Sequence, residues 1–323
     1  MPKVSIVVPL YNKGRYIRRA IDSILNQTID DLEIIVVNDG STDDGMDSMQ
    51  SYTDPRLRLI EQENFGVSAA RNRGVAESSA DLIAFLDADD EWLPFFLETV
   101  LRLQDNFPDA GLFATNFVLS VDGVIPTGCR LNQDNHDDGG IMNDYFKRMT
   151  YALPTFNSSS VMIQKDVLKS IGGFPVGLES GEDIYTWSHI ALKHKIAWTG
   201  RICAVYHQHD NWGIRGMRDD LPYASLLEDA GMSKENPMNP DHGYCCEFLN
   251  RKRLLLAARH IRKNNIAIAK ELIRKTGHTR MFKHYRTCLL ILTMMPRFPR
   301  NLIYACNRLL TRLLKGYTFH GLH

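Results

Sequence analysis

Three carboxylates in four positions, Asp87, Asp89 and Asp90 of the run DADD, follow directly on the apolar stretch LIAFL. On an extended strand end, Asp87 and Asp89 lie two residues apart and point the same way, so both can face one ligand. Carboxylate oxygens suit a hard divalent ion, Mg2+ or Mn2+, which bridges phosphate oxygens and neutralises their charge. Asp90 and Glu91 fit another role, as caps on a helix expected to begin near Pro94. Polar residues also follow three earlier apolar runs: Tyr11 and Asn12, then Asn38 and Asp39, then Asn64. Any single set reads as ordinary turn residues. Four sets in succession point to one crevice on which strand ends converge.

A divalent cation supported by carboxylates can hold a diphosphate in that crevice, where glycine-rich phosphate loops are missing. The loop PLYNKG lacks the three-glycine spacing that brings backbone against a dinucleotide pyrophosphate, and no GxxxxGK[ST] loop occurs.

The elements that must hold these residues follow from hydrophobic period. Residues 4–9 (VSIVVP) are a continuous β-branched run, the pattern of a strand buried on both faces of a parallel sheet. Ile17, Ala20, Ile21, Ile24 and Leu25 then repeat every three or four residues, giving a helix one apolar face. Strands at 32–37, 57–60 and 82–86 alternate with helices near 44–52 and 67–78, which means βαβ units with right-handed crossovers and parallel strands. Ligands of such sheets bind at the carboxyl edge. Beyond residue 110 the expectation is mixed α/β: strand 112–119, a turn at Asp122-Gly123, a helix near 141–149, and strands 159–163 and 203–206. From about 243 the chain reads as helical and basic, with a boundary in the polar stretch 232–242.

Composition excludes several classes. With 323 residues, 44% hydrophobic and 24% charged, the chain folds rather than staying disordered. Its net charge is zero and no nucleic-acid partner is expected. Six cysteines show no metal-ligand spacing, which favours a reduced, cytoplasmic setting over a zinc site. The N-terminal MPKVSIVVPLYN enters a strand without the parts of a secretion signal. The apolar run Cys288–Met295 is far short of the roughly 20 residues a spanning helix needs.

Taken together, VSIVVPLYN, EIIVVNDGSTDD, ENFGVSAARNRGV and LIAFLDADDEW, in that order, resemble the family 2 glycosyltransferases of the GT-A fold. The resemblance is strong over residues 1–110 and continues to about 210 through SSVMIQKDVLKSIGGF and SGEDIYTW. It implies an inverting transferase that moves a sugar from a nucleotide diphosphate donor, UDP-linked, to an acceptor hydroxyl. It also implies a GT-A domain over 1–240, with a nucleotide-binding half (1–110) and an acceptor half (111–240), followed by a helical extension over 241–323. By the same resemblance Pro9, Tyr11, Asn12 and Asp39 frame the nucleobase, Arg71 and Asp87 approach the nucleotide, Asp89 binds the metal and Asp183 is the general base. A histidine near the diphosphate aligns with His209 or His207. Arg71 also reads as a partner for a nearby carboxylate, Glu182 as orienting the acceptor, and Trp187 and Trp212 as either sugar platforms or core. The motif NDG stands where the family commonly shows DDG, so Asn38 replaces its first acid.

The C-terminal segment carries no Asp or Glu after Glu271. Leu289 to Leu292, Leu302, Ile303, Leu309, Leu310, Leu313 and Leu314 are punctuated by Arg297, Arg300, Arg308, Arg312 and Lys315. Two readings stay open: helices lying on the cytoplasmic face of an anionic membrane, or a helical pair packed on the catalytic domain. The first suits a lipid-carried acceptor in lipopolysaccharide or other surface-polysaccharide assembly. The alternatives to glycosyl transfer are a nucleotidyltransferase, which calls for a basic loop where PLYNKG offers only Lys13, and a binding protein without turnover.

Overall fold

The computed structural model describes residues 1–125, 138–151, 156–178, 180–208, 241–277 and 279–294. The chain divides into two compact units: Met1–Asn143 with Thr155–Gly216, and Asp144–Pro154 with Met217–His323. The expected division at residue 240 did not group the helix Tyr145–Tyr151 with the C-terminal helices, as these units do.

The first unit opens with strict alternation: β1 (Val4–Leu10), α1 (Gly14–Leu25), β2 (Leu32–Asp39), α2 (Gly45–Gln50), β3 (Leu57–Gln62), α3 (Val67–Glu77) and β4 (Leu82–Phe85). β1 pairs with β2 and β4, and β2 with β3, all parallel. Every residue of β1 and β2 is buried, as the unbroken apolar runs require of strands covered on both faces. Ile6, Val8, Ile34 and Val36 share a core with Ile17, Ala20, Ile21 and Ile24 of α1. Their neighbours Ile35 and Val37 face the other way, onto Ala70 of α3.

The rest of the sheet is mixed. β5 (Glu91–Trp92), α4 (Phe96–Asn106), β6 (Ala110–Val121), β7 (Gly140–Ile141), a 3-10 turn (Ser158–Ser160), β8 (Val161–Gln164), α6 (Lys165–Ser170), α7 (Glu182–Lys193) and β9 (Lys195–Gln208) complete this unit, α5 being the helix Tyr145–Tyr151 of the second. Strand order is β3-β2-β1-β4-β8-β6-β9-β5, with β7 on β9. β8 runs antiparallel between β4 and β6, while β6 and β9 are parallel with register shifts. The turn at Asp122-Gly123 is present, with φ of 50° and 80°. The fold class is the expected α/β sheet flanked by helices.

In the second unit α5 is joined by α8 (His242–Arg262), α9 (Ile266–Lys275) and α10 (Lys283–Leu292). Leu254, Ala257, Ile261, Ala269, Ile273, Tyr285, Leu289 and Leu292 form its core, so the apolar face of α10 is taken up by α8 and α9. Buried Asp241 accepts from the N–H groups of Phe146 and Lys147, satisfying donors at the start of α5. Among the described residues no helix is long and apolar enough to cross a membrane.

One contact fixes how closely α3 lies on the sheet. A Cβ at Gly74 would overlap both γ-methyl groups of Val7. Gly74→Ala should therefore destabilise the protein by about 1–3 kcal/mol in urea unfolding through overpacking. Val7→Ala in the same chain should relieve part of that loss, whereas strictly additive losses would show that the contact is not tight.

Candidate active site

Leu86 N–H donates to Val7 O (3.2 Å), the last tie of the fourth run to β1, and Asp90 N–H donates to Asp87 O (3.0 Å), closing a turn. The extended geometry expected for Asp87 and Asp89 is therefore absent, and their carboxylates meet different partners. Asp87 Oδ1 accepts from Arg71 at 2.7 Å, while Asp89 is paired with Lys13. The turn is explained by Asp90, only 1% exposed, which accepts from Ser159 Oγ (2.5 Å) and His207 N–H (3.0 Å). A buried carboxylate must find such donors, and reaching them draws the chain inward. Burial, and then the charges of Asp87 and Asp89, push the Asp90 carboxyl well above the usual range.

Asp90 and Glu91 consequently do not cap a helix. Glu91 opens β5, and α4 starts only at Phe96. His207 Nε2 lies 3.1 Å from Glu91, and this hydrogen bond holds the Glu91 carboxyl below its ordinary value. His209 and Trp212 lie outside the described residues.

Arg71 joins the two halves of this unit. It sits on the buried side of α3 at 2% exposure, donating from one terminal nitrogen to Asp87 and from the other to Glu182 (2.9 Å). Burial alone would lower its pKa, but the charges of Asp87 and Glu182 outweigh that and raise it. Glu182 and Asp183 form the first turn of α7, where the helix dipole favours carboxylates, and Gly181 enters it at φ +81°. Asp183 Oδ1 accepts from Ile184 N–H at 2.7 Å. Burial, then the neighbouring Glu182, raise its carboxyl to about 6 despite the opposing pull of Arg71.

The donor-side loops are laced by side chains. Asp39 Oδ1 accepts from Gln62 Nε2 (2.7 Å) and Phe65 N–H (3.0 Å), and Oδ2 from Gly66 N–H (2.9 Å). It thereby shapes the loop into α3, where Gly66 has φ +90°. Asn12, at φ 51°, accepts from Thr42 N–H (2.8 Å), and Asn38 accepts from Ser41 N–H (3.0 Å). Tyr11 and Phe65 are exposed aromatics, while Pro9 is buried opposite Val37, beyond the last β4 pairing at Val7. Trp187 is core, edge-on to Phe174 at 5.6 Å.

Sequence reasoning passed over Lys13 as a partner of Asp89, Asp90 and Ser159 as a buried pair, and Tyr206. Burial and the charges of Asp90, Asp87, Asp89 and Asp183 raise the Tyr206 phenol, which places it on the same cluster. Only the motif VYHQH hinted at it. Among the described residues no cluster of three or more His, Cys, Asp or Glu side chains is arranged to hold a metal ion by itself.

Comparison with known proteins identifies the family and the fold. Residues 5–164 match the family model described as Glycosyl transferase family 2. An uncharacterized glycosyltransferase of Nostoc sp. is 40% identical over 263 residues, covering 77% of this chain and 76% of that protein. Against three other curated relatives the chain spans only 27 to 30% of their length. Among solved structures, S. aureus TarS 1-349 in complex with UDP-GlcNAc superposes with a TM-score of 0.70 at 17% identity, covering 97% of this chain and 92% of that one. The mannosyltransferase PcManGT from Pyrobaculum calidifontis, in complex with GDP-Man and Mn2+, gives 0.59 at 17% identity, covering 97% and 84%. The chain belongs to glycosyl transferase family 2 and has the GT-A fold.

Because the Asp183 carboxyl is raised to about 6, ionising it costs folded-state stability as pH climbs from the unfolded value through that of the fold. Asp183→Asn should melt at higher temperature than the parent at pH 8, with the difference fading as pH falls from 6 to 4. A difference independent of pH would show that Asp183 is not desolvated in the fold.

Proposed function

We propose that this glycosyltransferase takes a sugar from a nucleotide diphosphate donor, UDP-linked, and passes it to an acceptor hydroxyl with inversion, Asp183 acting as general base. The observation that carries this is the Asp183 carboxyl, raised to about 6 and tied through Glu182 and Arg71 to Asp87 at the sheet's carboxyl edge. A base poised near neutral pH is ionised enough to act and basic enough to take a hydroxyl proton. The attacking oxygen loses its proton to Asp183 as it closes on the anomeric carbon from the side opposite the leaving diphosphate. One such displacement inverts that centre. The TarS and PcManGT complexes, with UDP-GlcNAc and GDP-Man, support a nucleotide-sugar donor.

On the donor side the exposed ring of Tyr11 offers a stacking face for the base, with Pro9 behind it and Asn12 holding the loop. Asp39 Oδ2 takes one protein donor and retains a lone pair for a ring N–H. Asp87, paired with Arg71, meets the ribose in this reading.

Charge argues for a divalent ion. Among the described residues Asp87, Glu182 and Asp183 share one guanidinium, and the Asp89 carboxylate pairs with Lys13 while Arg19 donates to its carbonyl, so a diphosphate would bring further negative charge to a cluster already rich in carboxylates. The donor set is all oxygen and, at 16% side-chain exposure, Asp89 can still be reached. That fits Mg2+ or Mn2+, which take one or two carboxylates and leave the remaining positions to water and phosphate. Asp89 would hold the ion, with His209 as a second contact, and the ion would supply Lewis-acid stabilisation of the leaving diphosphate. Lys13 would give up Asp89 and remain as a cation for the phosphates.

We assign the acceptor to a surface glycan or glycolipid, with the second unit contacting an anionic membrane. Arg262, Lys263, Lys270, Arg274, Lys275, Arg280 and Lys283 are exposed there, while Glu271 is the only exposed acid described between 262 and 294. Each cation near such a surface contributes about 1 kcal/mol.

Two measurements test this reading. In a screen of UDP-sugars with candidate acceptors, UDP release should require Mn2+ or Mg2+, and Asp89→Asn and Asp183→Asn should each lower it by about 100-fold or more. Full activity in either variant would show that the wrong carboxylate has been chosen. The full chain should also sediment with phosphatidylglycerol vesicles in low salt and be released by high salt. Equal binding to neutral vesicles would remove the membrane assignment.

A further inference from the structure

Asn72 follows Arg71 on α3, and no role in transfer has been given to it. Its Oδ1 accepts from Phe174 N–H (2.8 Å) and its Nδ2 donates to Phe174 O (2.8 Å), so one amide satisfies both backbone groups of one residue. The approach depends on the glycines before it. Gly172 and Gly173 have φ of +85° and +75°, and a Cβ at Gly173 would stand 2.6 Å from Asn72 Oδ1.

What the clamp holds is the Phe174 ring. Its centroid lies 5.3 Å from the Arg71 guanidinium, a cation-π arrangement, and it meets Phe85 edge-on at 5.2 Å. Phe174 also lines a cavity of about 360 Å³ whose wall includes Val75, Ala76 and Leu168. The ring itself is buried among Phe85, Trp187 and Arg71, and the two amide hydrogen bonds hold the backbone that delivers it there. Arg71 in turn spends both terminal nitrogens on Asp87 and Glu182, and its Nε finds no partner among the described groups. Its orientation therefore rests on those two carboxylates and on the ring.

We propose that Asn72 is a positioning residue for glycosyl transfer: by clamping Phe174 it fixes Arg71, and with it the bridge that sets Glu182 and the adjacent Asp183 against the donor-side Asp87. The proposal rests on the assignment of Asp183 as base. Among the described residues the charged and titratable groups that face Asp183 are Glu182 on its own helix, Arg71 from α3, Asp87 from the turn after β4 and Tyr206 from β9. Of these only Arg71 favours the ionised form. Loosening it makes Asp183 a worse-placed base and a harder one to ionise.

The test uses the full chain in two readings. Carboxyl 13C NMR of aspartate-labelled protein, with Asp183→Asn identifying the resonance, follows Asp183 without any substrate. In Asn72→Ala its titration midpoint should rise by about half a pH unit or more as the guanidinium moves off. Turnover of the UDP-sugar selected by the donor screen should fall about 10- to 100-fold with donor KM within about threefold, as expected for a misplaced base rather than a lost donor contact. Either value left at that of the parent overturns the proposal. If Asn72→Ala does not fold, Phe174→Leu decides by the same readings, because it keeps both backbone hydrogen bonds and removes only the ring. The base assignment fails separately, through undiminished turnover in Asp183→Asn. A normal loss there with an unmoved midpoint in Asn72→Ala sinks the clamp alone.

Discussion

A buried guanidinium shared between carboxylates from two halves of the sheet organises this site. Arg71, 2% exposed, is too costly to bury alone, and it is accepted in the interior because Asp87 and Glu182 both reach it. That requirement ties α3, the turn after β4 and the first turn of α7 to one point. Removing either acid would leave an underpaired buried cation, so the bridge sets the relative placement of the acidic turn and the proposed base.

The same bridge has too little charge for what surrounds it. Three carboxylates, Asp87, Glu182 and Asp183, compete for one cation, and burial, then the charge of Glu182, leaves the Asp183 proton held more tightly than in water. Asp90 settles its own surplus differently, by burial against Ser159 and the His207 N–H. Environment thus separates chemically identical groups: Asp87 is paired, Asp90 is sequestered and Asp183 is poised. Energetic strain of this kind, retained where chemistry is needed, is the usual exchange of stability for activity.

The parallel half of the fold was legible in the sequence because its strands are buried on both faces and its helix α1 on one, which leaves strong periodic signals in VSIVVP and in Ile17 to Leu25. The mixed half was less so. β8 and β6 pair antiparallel across long sequence gaps, and nothing local in SSVMIQ announces that partner. The site was legible as positions rather than as contacts. The motifs named Asp39, Arg71, Asp87, Asp89 and Asp183, but the turn through DADD was misread as extended, because what bends it is a buried Asp90 seeking donors 69 and 117 residues away. Capping was a sound local expectation for Asp90 and Glu91, and it lost to tertiary pairing with β9.

The central claim is that Asp89 and a nucleotide diphosphate share a divalent ion at the carboxyl edge of the parallel strands, within reach of Asp183. A crystal structure of the protein with UDP and Mn2+ tests it most directly. Manganese should appear between Asp89 and the diphosphate, with Lys13 turned from Asp89 toward phosphate, the base beside Tyr11, and Arg71 still bridging Asp87 and Glu182. Nucleotide bound away from Tyr11 and Asp39, or manganese bound without Asp89, would contradict it.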